Sequence, residues 1–153
     1  EWARELLRDD QLEYLRRLPA ERRVPFGGEL VLATHASPGS QTAGLPADLD
    51  PALTVHRLTR TDARVICCGH THMADVRELG RKLLVNPGSC GYAFDGTPDA
   101  CWGLLTLDEG TQPEAELHRA TYDPHPAAEE VAERGLPGDV YRAATIRTGR
   151  FVR

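Results

Sequence analysis

The chain has 153 residues, 41% of them hydrophobic and 27% charged, with a formal net charge of −5. That length fits one globular domain with a substantial core. The negative balance gives no general attraction to nucleic acid or anionic lipid, and no stretch approaches the roughly 20 apolar residues of a membrane span.

In chain order, Trp2, Leu6 and Leu7 suggest a turn of helix. A second helix follows, with Asp10 as N-cap, Glu13 three residues on, and Leu12, Leu15 and Leu18 as an apolar stripe before Pro19. Val24 to Phe26 and Glu29 to Thr34 read as a hairpin about Gly27-Gly28, ending in His35. Residues 36–49 are rich in Pro, Gly and Ser and form a long loop, a length usually associated with function or mobility. Asp50 caps a helix that has Pro51 at its first position and runs to about Arg60.

Val65-Ile66-Cys67-Cys68 is a short buried strand, closed by Gly69-His70-Thr71-His72, in which Gly69 lets the chain turn sharply as it leaves the sheet. If the extended backbone continues, His70 and His72 project to one side and Thr71 to the other. Ala74 to Leu79 and Arg81 to Val85 form a hairpin turning at Gly80, running into Asn86-Pro87-Gly88-Ser89. Trp102 to Leu107 and Glu114 to Tyr122 pair as another hairpin. Two helices finish the chain, Pro126 to Arg134 with Gly135 past its end, and Asp139 to about Arg147 before Gly149. Alternating elements followed by a β-rich second half predict a layered α/β domain, single over residues 1–153.

Three strands therefore end in His35, His70 and Asn86, and if they are neighbours their ends share one rim. The C-terminal rim of an open α/β sheet is where chemistry collects. Imidazoles there suit Zn, Fe, Ni or Mn, although two histidines supply only half of a tetrahedral site. The other histidines, His56, His118 and His125, have no partner at ligand spacing. Asn86 is a candidate substrate contact at this rim, but the Pro and Gly that follow it suit a backbone turn, which favours structural support. Cys67, Cys68, Cys90 and Cys101 show no C-x-x-C spacing; four free thiols suit a reducing cytoplasm.

His35 after a strand, Gly-His-Thr-His, and a hairpin ending in Asn-Pro-Gly-Ser together resemble the second half of a calcineurin-like metallophosphoesterase. The likeness is strongest to the small bacterial and archaeal phosphodiesterase branch. It runs from about Asp9 to about Gly149 and takes in Asp95-Gly96-Thr97-Pro98 and Tyr122-Asp123. It implies an αββα sandwich, two facing sheets flanked by helices, of which this chain supplies about the second half.

The resemblance also implies a dinuclear site of divalent transition metals, with His35 and His70 on one metal and His72 on the other. His72 would also be catalytic, close to the leaving group of a small phosphoester or nucleotide substrate. The family's Asp-x-His, Gly-Asp and Gly-Asn-His motifs have no counterpart here, so a longer chain is expected to carry them before Glu1. A non-catalytic scaffold of the same fold, as the retromer subunit is, is the alternative function. A zinc-only site of three histidines within this chain is a third possibility.

Overall fold

The structure, a computed structural model, describes residues 2–153. Two short helices open it, α1 (Trp2–Leu6) and α2 (Asp9–Arg17), neither with a buried residue. The predicted cap of α2 moves two residues upstream. Arg8 is the N-cap and its backbone N–H donates to the Gln11 side chain at 3.0 Å, while Asp10 sits in the first turn and pairs with Arg8. Gln11 serves the capping box as readily as the expected Glu13 because only its side-chain oxygen is needed.

β1 (Glu21–Phe26) and β2 (Glu29–Thr34) form the expected hairpin. Gly27 and Gly28 both hold positive φ, +57° and +77°, as a tight two-residue turn matched to strand twist requires. After the loop comes α3 (Pro51–Leu58), capped as read from sequence by the Asp50 carboxylate, which accepts from Leu53 N at 3.0 Å. β3 (Val65–Cys67), β4 (Ala74–Leu79) and β5 (Lys82–Pro87) complete a five-stranded sheet in the order β1-β2-β3-β5-β4. Within it β2, β3 and β5 run parallel, Val31 beside Val65 beside Leu83, with antiparallel strands at both edges. β6 (Ala100–Thr106) and β7 (Glu114–Ala120) form a separate two-stranded sheet.

Burial on both faces explains why the central strands read as continuous apolar runs. On one face Val31, Val65, Leu83 and Val85 meet Leu105, Leu107 and Ala115 from the β6–β7 end of the chain. On the other, Ile66, Cys68 and Leu84 meet Leu58 of α3 and Leu45 and Leu49 of the long loop. The layers are thus α3 with the loop, the five-stranded sheet, and the two-stranded sheet. α4 (His125–Glu133) and α5 (Asp139–Thr148) pack on each other around Ala128, Ala143 and Ile146, with Tyr92 against them. No helix among the described residues is long and apolar enough to cross a membrane.

The loop at 36–50 is anchored rather than loose. Leu45 is buried, Arg77 donates to the Leu45 carbonyl at 2.7 Å, and Arg57 donates to that of Gly44. Strand burial also sets thiol chemistry. Burial pushes the Cys67 thiol up, and it pushes that of Cys68 to about 12, with the neighbouring Cys67 and Asp75 adding to the shift. A thiol that does not ionise is a poor nucleophile. In the native protein a disulfide-exchange reagent should therefore label exposed Cys90 while Cys68 and Cys101 react only on unfolding. Peptide mapping would read this; labelling of Cys68 at the rate of Cys90 would contradict the packing.

Candidate metal centre

The three strands that deliver the candidate residues are adjacent and parallel, so their C-terminal ends share one rim, as expected. The ladder continues past the strands. Gly69 N donates to the His35 carbonyl and Cys68 N to that of Val85, each at 2.9 Å, so the segments holding His35, His70 and Asn86 are tied to one another.

The placement of His70 and His72 differs from strand alternation. The strand stops at Cys67, and the sharp bend comes at the histidines rather than at Gly69. His70 has φ +70° and His72 φ +58°, left-handed values that non-glycine residues adopt at a cost of roughly 1–2 kcal/mol. Something must hold them there, and the hydrogen bonds show what. Asn86, 1% exposed, donates to the Gly69 carbonyl at 3.2 Å and to Thr71 Oγ1 at 2.8 Å, and accepts from Gly88 N at 3.0 Å. Thr71 Oγ1 accepts from this amide, the hydrogen-bonding role expected of the residue between the two histidines. Asn86 is therefore a clamp on the histidine loop. Its buried, fully engaged amide does not meet the expectation of a substrate contact.

His35 and His70 converge. Nε2 of His35 lies 3.1 Å from Nδ1 of His70, with the rings edge-on at 80°. Two imidazoles on one cation, with bonds of about 2.0–2.2 Å and angles near 90–110°, place their nitrogens about 2.8–3.6 Å apart. In the structure one imidazole donates to the other across this gap, and the spacing is also one that two ligands of a single metal can keep. Gly44 makes room for it: a Cβ there would stand 3.0 Å from His70 Cδ2.

His72 is held separately. Its Nδ1 lies 2.7 Å from the Tyr92 carbonyl, which can only accept, so Nδ1 is the donor and the neutral ring offers Nε2 as its lone-pair nitrogen. The ring stacks on Phe94 at 4.6 Å and 15°, and Phe94 leans in turn on Phe151 at 4.9 Å. A backbone carbonyl that fixes the tautomer from behind the ring is a recurrent support of ligating histidines. Sequence reasoning missed Tyr92 and Phe94; two aromatics flanking Ala93 just after the Asn-Pro-Gly-Ser turn were the available signal.

Among the described residues no three His, Cys, Asp or Glu side chains are grouped to hold one metal. A zinc site of all three histidines within this chain is thereby set aside, because His72 is fastened to the Tyr92–Phe94 loop rather than to the His35–His70 pair. The other histidines lie elsewhere: His56 on α3, His125 at the start of α4, and His118 on β7, stacked on Trp102 at 4.4 Å.

The chain belongs to the calcineurin-like phosphoesterase superfamily, whose domain matches residues 7–110. The structure resembles a hypothetical protein from Pyrococcus horikoshii OT3, at 18% identity and a TM-score of 0.77, over 95% of this chain and 56% of that one. It also resembles a metallophosphoesterase from Sphaerobacter thermophilus, at 19% identity and a TM-score of 0.70, over 95% of this chain and 63% of that one. At these identities the likeness is one of fold, and this chain spans less than two thirds of either structure's length. No curated protein matches the sequence.

Proposed function

We propose that the chain carries the histidine side of a two-metal phosphoester hydrolase acting on a phosphodiester or phosphomonoester of a small molecule or nucleotide. The observation that carries this reading is the 3.1 Å approach of His35 Nε2 and His70 Nδ1 on the shared rim of β2 and β3. Calcineurin-like phosphoesterases generally use divalent metals, and a neutral imidazole set suits Mn, Fe, Ni or Zn. His35 and His70 would hold one ion and His72, through Nε2, the other. The remaining ligands, a bridging carboxylate among them, would come from outside residues 1–153.

When bound, the metal pair supplies charge neutralisation at the phosphoryl oxygens and lowers the pKa of water toward neutrality. The chain's own contribution is orientation. Asn86 fixes the backbone of the histidine loop, and the Tyr92 carbonyl with the Phe94 ring fixes the plane and tautomer of His72. His72 is assigned the leaving-group side of the substrate, where preset polar groups act on charge as it develops. The free thiols of Cys67, Cys68, Cys90 and Cys101 suit a cytoplasmic setting.

The intact protein loaded with Mn²⁺ should release nitrophenolate from bis(4-nitrophenyl) phosphate, lose that activity on chelation and regain it on metal addition. Elemental analysis should find two metals in the intact protein and little in residues 1–153 alone. Two tightly bound metals in the 153-residue chain would refute the incomplete-site reading. Folded, metal-loaded intact protein that is inert on every phosphoester tried would replace hydrolysis with the scaffold role.

A further inference from the structure

Among the described residues, Arg22 at the rim has no hydrogen-bond or ion-pair partner. β1 enters the sheet with Glu21 opposite Thr34 and Arg22 opposite Ala33. Residues opposite one another on antiparallel strands share a face, and the diagonal neighbour two positions on lies roughly 7–8 Å away, within reach of a long side chain. Carried one residue past the end of the ladder at Thr34, that neighbour of Arg22 is His35. Both line one open groove of about 620 Å³, together with Leu18, Ala33 and Gln41.

The other polar groups of this groove are engaged. The Glu21 carboxylate accepts from Gly39 N, and the Gln41 amide donates to the Ala20 carbonyl at 2.9 Å. Arg23, one residue on and facing the other way, pairs with Asp62. Arg22 makes no hydrogen bond or ion pair among the described residues; the Glu21 carboxylate that lines the same groove is turned to Gly39 N instead, which leaves the donor fork of Arg22 open beside His35. That planar fork of donors matches a phosphate or carboxylate.

We propose that Arg22 determines specificity by binding a second anionic group of the substrate, a phosphate or carboxylate carried beyond the phosphoester held at His35 and His70. Phosphoesters bearing such a group are then preferred over diesters with two neutral arms. The proposal rests on the phosphoesterase reading of the same site. An exposed charge-assisted contact of this kind is worth about tenfold in selectivity.

The test uses intact, Mn²⁺-loaded protein and two 4-nitrophenyl phosphodiesters that differ only in the second arm, ethyl or carboxypropyl. The ratio of kcat/KM for the charged over the neutral substrate should be about tenfold in the wild type, near one in Arg22→Ala, and intermediate in Arg22→Lys. A wild type without preference, or a ratio unchanged in Arg22→Ala, overturns the proposal. Turnover of neither diester by the wild type would be a failure of the phosphoesterase reading. Titration calorimetry with inorganic pyrophosphate then decides Arg22 alone: weaker binding in Arg22→Ala sustains its role as an anion receptor, and equal binding removes it.

Discussion

Replacing His35, His70 or His72 singly by alanine in the intact protein should lower kcat/KM on an activated phosphodiester by at least ~10²-fold, the scale of losing a transition-state charge stabiliser. His35 and His70 approach to 3.1 Å and are proposed to share one ion, so removing either leaves one imidazole on it. Metal content should fall with activity in each variant, which ties the loss to the ligand rather than to unfolding. His56→Ala and His118→Ala are controls, since one lies on α3 and the other stacks on Trp102 away from the rim. A triple variant of His35, His70 and His72 that keeps full activity would end the phosphoesterase assignment.

Asn86→Ala should destabilise the fold by about 2–4 kcal/mol, measured by denaturant titration. Before relaxation, it leaves Gly88 N–H unpaired in a site that is 1% exposed, at about 1–3 kcal/mol, and takes one hydrogen bond, about 1 kcal/mol each, from the Gly69 carbonyl, which keeps Thr71 N, and from Thr71 Oγ1, which keeps Met73 N. Metal occupancy in the intact protein should drop as well, although Asn86 is placed on no metal, because the left-handed backbone at His70 and His72 loses its clamp. Asn86→Asp is the sharper variant. It can still accept from Gly88 N, but it turns an oxygen toward the Gly69 carbonyl where the amide donated. An Asn86→Ala protein of unchanged stability with only a raised KM would restore Asn86 as a substrate contact.

The sheet was legible because its signals are local. Gly27-Gly28 and Gly80 mark tight turns, and apolar runs such as Val65–Cys68 mark strands covered on both sides. The shared rim followed from three such runs each ending in a ligand-capable residue, His35, His70 and Asn86. The finer site was not legible, because it depends on contacts between distant residues. Nothing adjacent to His72 announces that the Tyr92 carbonyl will fix its tautomer, or that Gly44 will let the long loop close on His70. Propensity puts the bend after β3 at Gly69. The structure puts it on two histidines because the Asn86 hydrogen bonds outweigh the local preference.

Those two left-handed histidines bear on how the sequence can drift. Glycine or asparagine occupies that backbone region more comfortably than histidine does. For stability alone, then, positions 70 and 72 are better filled by other residues, and the imidazoles persist only while something selects for them. A descendant released from chemistry should relax first at these two positions, gaining stability as it loses ligands. The same change made by hand, His70→Asn, separates the two pressures in one molecule: a steadier fold and an emptier rim.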